Sequence, residues 1–159
     1  MWLTDSDCIR ILKPGGTLAF TTFPPSGAGW VPDTKAAMES LFPGVPFIAP
    51  MQLHDQGRWF DHDWVRNTLL GHGFKNVKVK LTSYVTHMDG PEHFVTQFAM
   101  MLDLLRATQW TEELRAKYSK EEVRESVKSY LIEKYGEQGW DITWSLIVGS
   151  GQLDKGGNE

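Results

Sequence analysis

The sequence predicts an α/β fold with about three strands and a helical segment before the last strand. Three stretches, at 17–23, 77–86 and 140–149, are either continuously apolar or alternate between apolar and polar residues, which is typical of strands. Apolar residues recur at helical spacing between them. With 159 residues, of which 41% are hydrophobic and 12% aromatic, the chain has enough apolar side chains for a buried core.

The first predicted elements are a helix, a tight turn and a strand. Residues 2–12 have the spacing of a short helix, and Pro14-Gly15-Gly16 ends it at a turn. The apolar run at 17–23 then predicts a fully buried strand. The inward-facing positions of the helix are Leu3, Cys8, Ile11 and Leu12.

Two further helices are predicted from capping residues. Asp33 or Thr34 is expected to cap a helix that runs to about residue 41. Asp61 is expected to cap a second helix that runs to about residue 70 and ends at Gly71 or Gly73. The buried face of this second helix is predicted to contain Trp64, Val65, Leu69 and Leu70.

The second strand is predicted to lie at or near an edge of the sheet. Valine, leucine and serine occupy its odd-numbered positions from Val77 to Val85, whereas Lys78 and Lys80 fall on the other side. One covered face and one face carrying lysines suit a strand with solvent beside it.

The helical segment and the last strand follow. Asp89-Gly90-Pro91 opens a helix that is predicted to run to about residue 108, with Phe94, Phe98, Met101, Leu102 and Leu105 at helical spacing. Thr111 is a candidate cap for a short helix, and Ser119 with Glu122 forms a capping box for the next one. The last strand, 140–149, is predicted to place Ile142, Trp144, Leu146 and Val148 on one face, opposite Ile147.

Charge and composition exclude several classes of protein. The net charge of −4, the pI near 5.7 and the lack of a basic run argue against a nucleic-acid partner. No apolar stretch reaches the roughly 20 residues of a membrane-spanning helix, and the first residues do not resemble a signal peptide. We therefore expect a cytoplasmic protein, and the single Cys8 fits a reducing compartment.

The turn after the first helix resembles a family motif. Arg10-x-Leu12-Lys13-Pro14-Gly15-Gly16 is similar to the run that precedes the fifth strand in class I S-adenosylmethionine-dependent methyltransferases. Gly73-Phe74-x-Asn76-Val77 and the helices before the last strand resemble small fungal methyltransferases of secondary metabolism. The resemblance implies the C-terminal part of a Rossmann-like sheet, with the last strand antiparallel between the other two and residues 88–138 as a helical lid.

The resemblance also implies that the cofactor-binding half is missing. In the family, a glycine-rich loop and acidic strand end precede the Lys-Pro-Gly-Gly turn, but only twelve residues precede Lys13. Gly27-Ala28-Gly29 is a poor substitute, because Pro32 stands in place of the third glycine and Trp30 crowds the helix start. We expect residues 1–153 to form a truncated domain with a flexible tail at 154–159. Alone, it would bind S-adenosylmethionine weakly or not at all, and it would self-associate, bind a complementing chain or fold poorly.

Candidate site residues follow from the ends of the strands, where ligands of open α/β sheets bind. His87 is the candidate general base, since a neutral imidazole accepts a proton near pH 7. The alternative for His87 is an ordinary exposed histidine, and the alternative for Phe94 is core packing. The candidate substrate-binding residues are Thr22, Phe23, Trp30, Trp59 and Phe94.

No metal site is predicted. His54-Asp55 and Asp61-His62-Asp63 contain ligand residue types, but helix capping explains the second group. Three functions remain open. The chain is the acceptor-binding portion of a methyltransferase acting on a small metabolite, a non-catalytic binding or assembly subunit, or a methyltransferase-like cyclase that transfers no methyl group.

Overall fold

The computed structural model describes residues 9–24, 27–49 and 57–153. Residues 9–11 are helical, and a turn through Gly15, which has φ +73°, leads into the first strand. The elements in chain order are β1 (Thr17–Thr22), α1 (Val31–Leu41), α2 (His62–Gly71), β2 (Phe74–Met88), α3 (Pro91–Gln97), α4 (Ala99–Gln109), α5 (Glu112–Lys117), α6 (Lys120–Tyr135) and β3 (Trp140–Leu153). None of the described helices is long and apolar enough to cross a membrane.

The three strands form one sheet in the order β1-β3-β2. β1 pairs antiparallel with β3, from Thr17 opposite Gln152 to Thr22 opposite Ile147. The last strand thus lies between the other two, as expected, and β2 is an edge strand. Within the described residues, no strand pairs with the outer edge of β1.

The chain divides into two compact units. The described residues of the strand unit fall within Met1–Pro24, Gln56–Ser83 and Ser145–Glu159. Those of the helical unit fall within Pro25–Asp55 and Tyr84–Trp144. β2 and β3 therefore contribute residues to both units.

The strand unit has its own apolar core. Val65 and Leu69 of α2 pack with Phe74 and Leu153 at the ends of β2 and β3. Asp61 caps α2 as predicted, since its Oδ1 accepts hydrogen bonds from the backbone N–H groups of Asp63 and Trp64, each at 3.0 Å.

Three predicted burial patterns in the strand unit are wrong. β1 is not fully buried: its residues alternate between exposed and half-buried, because only its even-numbered side faces the apolar cluster. Ile11 and Leu70 were expected in the core but are 60% and 48% exposed. The last strand was predicted to keep its even-numbered residues on one face, and Ile142 is indeed buried. Further along β3 the odd-numbered positions are covered instead, so Ile147 is buried and Val148 is exposed.

The helical unit is built around α6. α1, α3 and α4 pack against α6, whose buried stripe is Val123, Val127 and Leu131. The single helix predicted for 91–108 is two helices, because the chain breaks at Phe98, whose N–H still bonds the carbonyl of Phe94. The fully buried side chains of this unit include Phe94, Leu102, Leu105 and those of the α6 stripe.

A capping side chain was predicted for three helices of the helical unit, and the structure confirms two of them. Thr111 caps α5, and Ser119 forms the complete capping box of α6 with Glu122. α1 differs, because it begins at Val31, so that Asp33 lies inside its first turn instead of capping it. The capping prediction failed there because the Asp33 side chain bonds to distant residues.

Candidate functional site

His87 faces a carboxylate across the sheet. His87 is the penultimate residue of β2, and Asp141 is the second residue of β3. The His87 Nδ1 atom lies 2.7 Å from Asp141 Oδ1, and the two side chains are 61% and 64% exposed. The pair thus combines a base with a hydrogen-bonding carboxylate at the surface of the helical unit, which is an arrangement able to accept a proton from a bound molecule.

A glycine lies against the other ring nitrogen of His87. A Cβ atom at Gly139 would stand 2.6 Å from His87 Nε2 and 2.5 Å from the carbonyl oxygen of Met88. Any side chain at this position would therefore displace the imidazole or the strand. The glycine backbone thus packs closely on the imidazole.

An open groove begins at Asp89 and Glu137, which lie two residues along the chain from His87 and from Gly139. It has a volume of about 350 Å³ and is lined by Asp89, Gly90, Glu92, Lys128, Ile132 and Glu137 among others. Glu92 and Lys128 are paired across it at 2.7 Å, and this contact lowers the pKa of Glu92 and raises that of Lys128. The volume is in the range of small-molecule sites.

Two predicted substrate-binding residues lie in the interior of the helical unit. Phe94 has no exposed surface and packs on Phe98 and Trp140, with ring centroids 4.9 and 5.7 Å apart. Trp30 is 2% exposed and stacks on Phe98 at 6.1 Å. These rings form a continuous aromatic cluster, so in this structure they contribute to packing.

The other three predicted residues belong to the strand unit. Thr22 ends β1 opposite Ile147, and the half-buried Phe23 follows it. Trp59 packs edge-on against Phe20 at 5.4 Å, so the structure places it beside β1. Whether any of these side chains contacts a substrate remains a prediction.

A buried carboxylate that sequence reasoning missed lies in α1. Asp33 has a side chain only 7% exposed, and its Oδ1 accepts hydrogen bonds from Lys134 Nζ and Tyr135 OH, each at 2.8 Å. Its Oδ2 accepts a bond of 3.1 Å from Trp140 Nε1. The hydrogen bond to Asp33 raises the pKa of Lys134, whereas burial is the main cause that raises the pKa of Tyr135.

Neither candidate metal motif forms a cluster within the described residues. No three His, Cys, Asp or Glu side chains there are grouped as metal ligands, and His54-Asp55 lies outside those residues. Asp61 caps α2, while His62 bonds Asp63 through Nδ1 and the carbonyl of Val79 through Nε2. The Asp63 hydrogen bond is the main cause that raises the pKa of His62.

The glycine loop, Gly27-Ala28-Gly29, packs against β3. A Cβ at Gly29 would stand 3.0 Å from the carbonyl oxygen of Thr143 and 3.1 Å from Trp144 Nε1. Gly27, Ala28 and Trp30 are buried beside it. The space next to the loop is therefore filled by β3, and the glycine permits close packing of the chain on itself.

Comparison with known proteins shows a similarity over most of the chain. No protein-family model matches the chain. Acetylaranotin bis-thiomethyltransferase of Aspergillus terreus is 29% identical over 133 residues, which cover 82% of this chain and 47% of that protein. The chain thus spans about half the length of this curated relative. This similarity supports a methyltransferase family for the chain.

Proposed function

We propose that the chain is the acceptor-side, C-terminal portion of a class I methyltransferase that uses S-adenosylmethionine. The observation that carries the proposal is the similarity to a methyltransferase over 82% of the chain. The sheet order β1-β3-β2, with β3 antiparallel to β1, supports it, because the Lys-Pro-Gly-Gly resemblance implies that order. The residues that bind the methyl donor then lie outside these 159.

We propose a thiol as the acceptor group and His87 as its general base. The relative is named as a thiomethyltransferase. An ordinary thiol has a pKa of about 8.5, close to the range in which imidazole exchanges protons, so one histidine is a sufficient base. An alcohol is far less acidic and would need further activation.

The groove that begins at Asp89, two residues after His87 in the chain, is the proposed acceptor site. Its size suits a small metabolite, and Ile132, which is 38% exposed, gives it apolar surface next to charged groups. Glu92 and Lys128 neutralise each other there. An uncharged acceptor thus meets no unpaired charge from that pair.

We further propose that β1 pairs with a strand from a second copy or from a complementing chain. Its sequence, Thr-Leu-Ala-Phe-Thr-Thr, contains no charge or proline that would block pairing. Ala19 is exposed on this strand, so Ala19→Lys places a charge at the edge. We expect sedimentation velocity to show association by the natural chain that this variant weakens. A natural chain that stays monomeric at all concentrations would contradict pairing with a second copy and leave the complementing chain as the partner.

Acceptor binding is tested with a thiol and its methylated product. Titration of the ¹⁵N-labelled chain with phenylmethanethiol should shift the His87 ring resonances and the amides around Ile132. Between about pH 5 and pH 7, where an ordinary thiol stays protonated, His87→Gln should remove the pH dependence of binding. His72→Gln, at an exposed position of the strand unit outside the groove, is the matched control. Benzyl methyl sulfide, the methylated product of phenylmethanethiol, carries no thiol proton, so it should bind without that pH dependence.

Donor binding is tested separately by calorimetry with S-adenosylmethionine. We expect no binding by this chain. Micromolar binding would show that the donor site lies within these residues and would overturn the proposed division. Absence of phenylmethanethiol binding at any pH would overturn the assignment of the acceptor side.

A further inference from the structure

Two partly exposed histidines of the helical unit have opposite hydrogen-bond partners at Nδ1. We infer that Asp141 holds neutral His87 in the tautomer that carries its proton on Nδ1, so that Nε2 is the atom that accepts a proton. Asp141 is then a positioning residue for the base. Its catalytic importance rests on the proposed function, whereas the tautomer itself does not.

The geometry at His87 determines the tautomer. Asp141 Oδ1 is 2.7 Å from His87 Nδ1, and an ionised carboxylate has no proton to donate. The bond therefore requires a proton on Nδ1. In the neutral ring, the other nitrogen then holds a free lone pair.

His93 provides an internal contrast. The backbone N–H of Asp89 donates to His93 Nδ1 at 3.1 Å, while Asp89 Oδ2 lies 3.0 Å from the same atom. A backbone amide only donates, so neutral His93 keeps that bond by carrying its proton on Nε2. Two Asp–His pairs with nearly equal separations are thus expected to hold opposite tautomers.

The surroundings of His87 Nε2 suit a proton acceptor. Gly139 provides no side chain beside Nε2, where a Cβ would stand 2.6 Å away. Within the described residues, no hydrogen-bond donor is recorded for this nitrogen. The ring is also 61% exposed, so a proton taken from a ligand can leave to water.

The proton step is balanced within the ligand and the imidazole. The S–H bond of the thiol breaks and an N–H bond forms at His87 Nε2, while the electron pair stays on sulfur. The resulting imidazolium keeps its Nδ1–H bond to Asp141. The thiolate is the nucleophile required by the proposed reaction.

Long-range ¹H–¹⁵N correlation spectra of the ¹⁵N-labelled chain test the inference. At about pH 8.5, where an ordinary imidazole is neutral, the spectra distinguish the protonated from the bare nitrogen of each ring. His87→Gln and His93→Gln assign the signals. We expect mostly Nδ1–H for His87 and mostly Nε2–H for His93.

Substitutions of Asp141 test whether its carboxylate determines the tautomer of His87. Asp141→Ala should change the majority tautomer of His87 to Nε2–H, while backbone amide spectra confirm that the fold is retained. Asp89→Ala is the matched control and should leave His87 unchanged. Asp141→Glu, which retains a carboxylate, should restore part of the Nδ1–H population.

An Nε2–H majority for His87 in the natural chain, or an unchanged tautomer in folded Asp141→Ala, would overturn the inference. Failure of the proposed function has a different signature. In that case the tautomers behave as expected, but phenylmethanethiol neither binds nor shifts the His87 ring.

Discussion

Replacing Asp33 by alanine removes one carboxylate that serves three donors in the helical unit. The change leaves Tyr135 OH and Trp140 Nε1 without their acceptor, and both side chains are partly buried. Lys134 also loses its ion pair, but that side chain is 40% exposed and can reach water. We therefore expect the cost to come mainly from the tyrosine and the tryptophan.

The magnitude follows from these two donors. An unsatisfied buried donor costs about 1–3 kcal/mol, and partial burial places each of these two near the lower half of that range. The exposed Lys134 contributes less than about 1 kcal/mol. We expect Asp33→Ala to lower the free energy of unfolding by about 2–4 kcal/mol, and Asp33→Asn to lower it less because one oxygen remains.

Urea denaturation measures the loss, with hydrogen exchange in α6 to assign it to the helical unit. Glu39→Ala is the matched control, since Glu39 lies in the same helix and pairs with Lys35 on its exposed side. We expect that control to change stability by less than about 0.5 kcal/mol. If Asp33→Ala costs no more than Glu39→Ala, the argument from unsatisfied donors is wrong.

The pH dependence of this loss has a definite sign. The pKa of Lys134 is raised in the folded chain, so its stabilising contribution is complete below the ordinary lysine value of 10.5. The contribution is lost only as the pH rises through the raised value. The stability difference between the natural chain and Asp33→Ala should therefore stay constant from about pH 7 to pH 10.

Three further predictions concern packing, capping and pH. Gly149→Ala should cost about 1–3 kcal/mol in urea denaturation, because its Cβ would stand 2.5 Å from the Phe20 ring, whereas Gly71→Ala meets nothing within 4 Å and should not destabilise. Ser119→Ala should lose about 1 kcal/mol by the same measurement and fray the first turn of α6, and an unchanged midpoint would show that the capping box is dispensable. The pKa of His62 is raised in the folded chain, so its contribution to the free energy of unfolding should be complete below pH 6.5 and decline as the pH rises through the raised value. If the stability curves of the natural chain and of His62→Gln run parallel from about pH 5.5 to pH 8, this expectation is wrong.

Local signals in the sequence predicted the helix starts that depend on nearby residues. Asp61, Thr111 and Ser119 each cap a helix within three residues of themselves, so the pattern that identifies them is complete in a short window. The order of the strands was also predicted, but through the Lys-Pro-Gly-Gly resemblance. Burial was less predictable: the apolar composition of β1 indicates a core strand, yet half of its residues face away from the apolar cluster.

Contacts between distant residues account for what was missed. Asp33 matched the pattern of a helix cap, but its partners are 101 to 107 residues away in the chain. Asp141 had no local signal either, since its partner His87 is 54 residues away. Such pairs depend on strand register and helix packing, which periodicity does not determine.

The start of β3 takes part in both interactions that the sequence did not predict, the hydrogen bond to Asp33 and the Asp141–His87 pair. Successive side chains of a strand point to opposite sides, so Gly139 and Asp141 share the side that meets His87, while Trp140 points the other way to Asp33. Asp33 therefore anchors the backbone that carries Asp141 without contacting the base. Substitution of Asp33 can affect His87 only through that backbone, whereas substitution of Asp141 removes the hydrogen bond to the ring itself. Stability and the His87 tautomer are thus separable properties of one short segment.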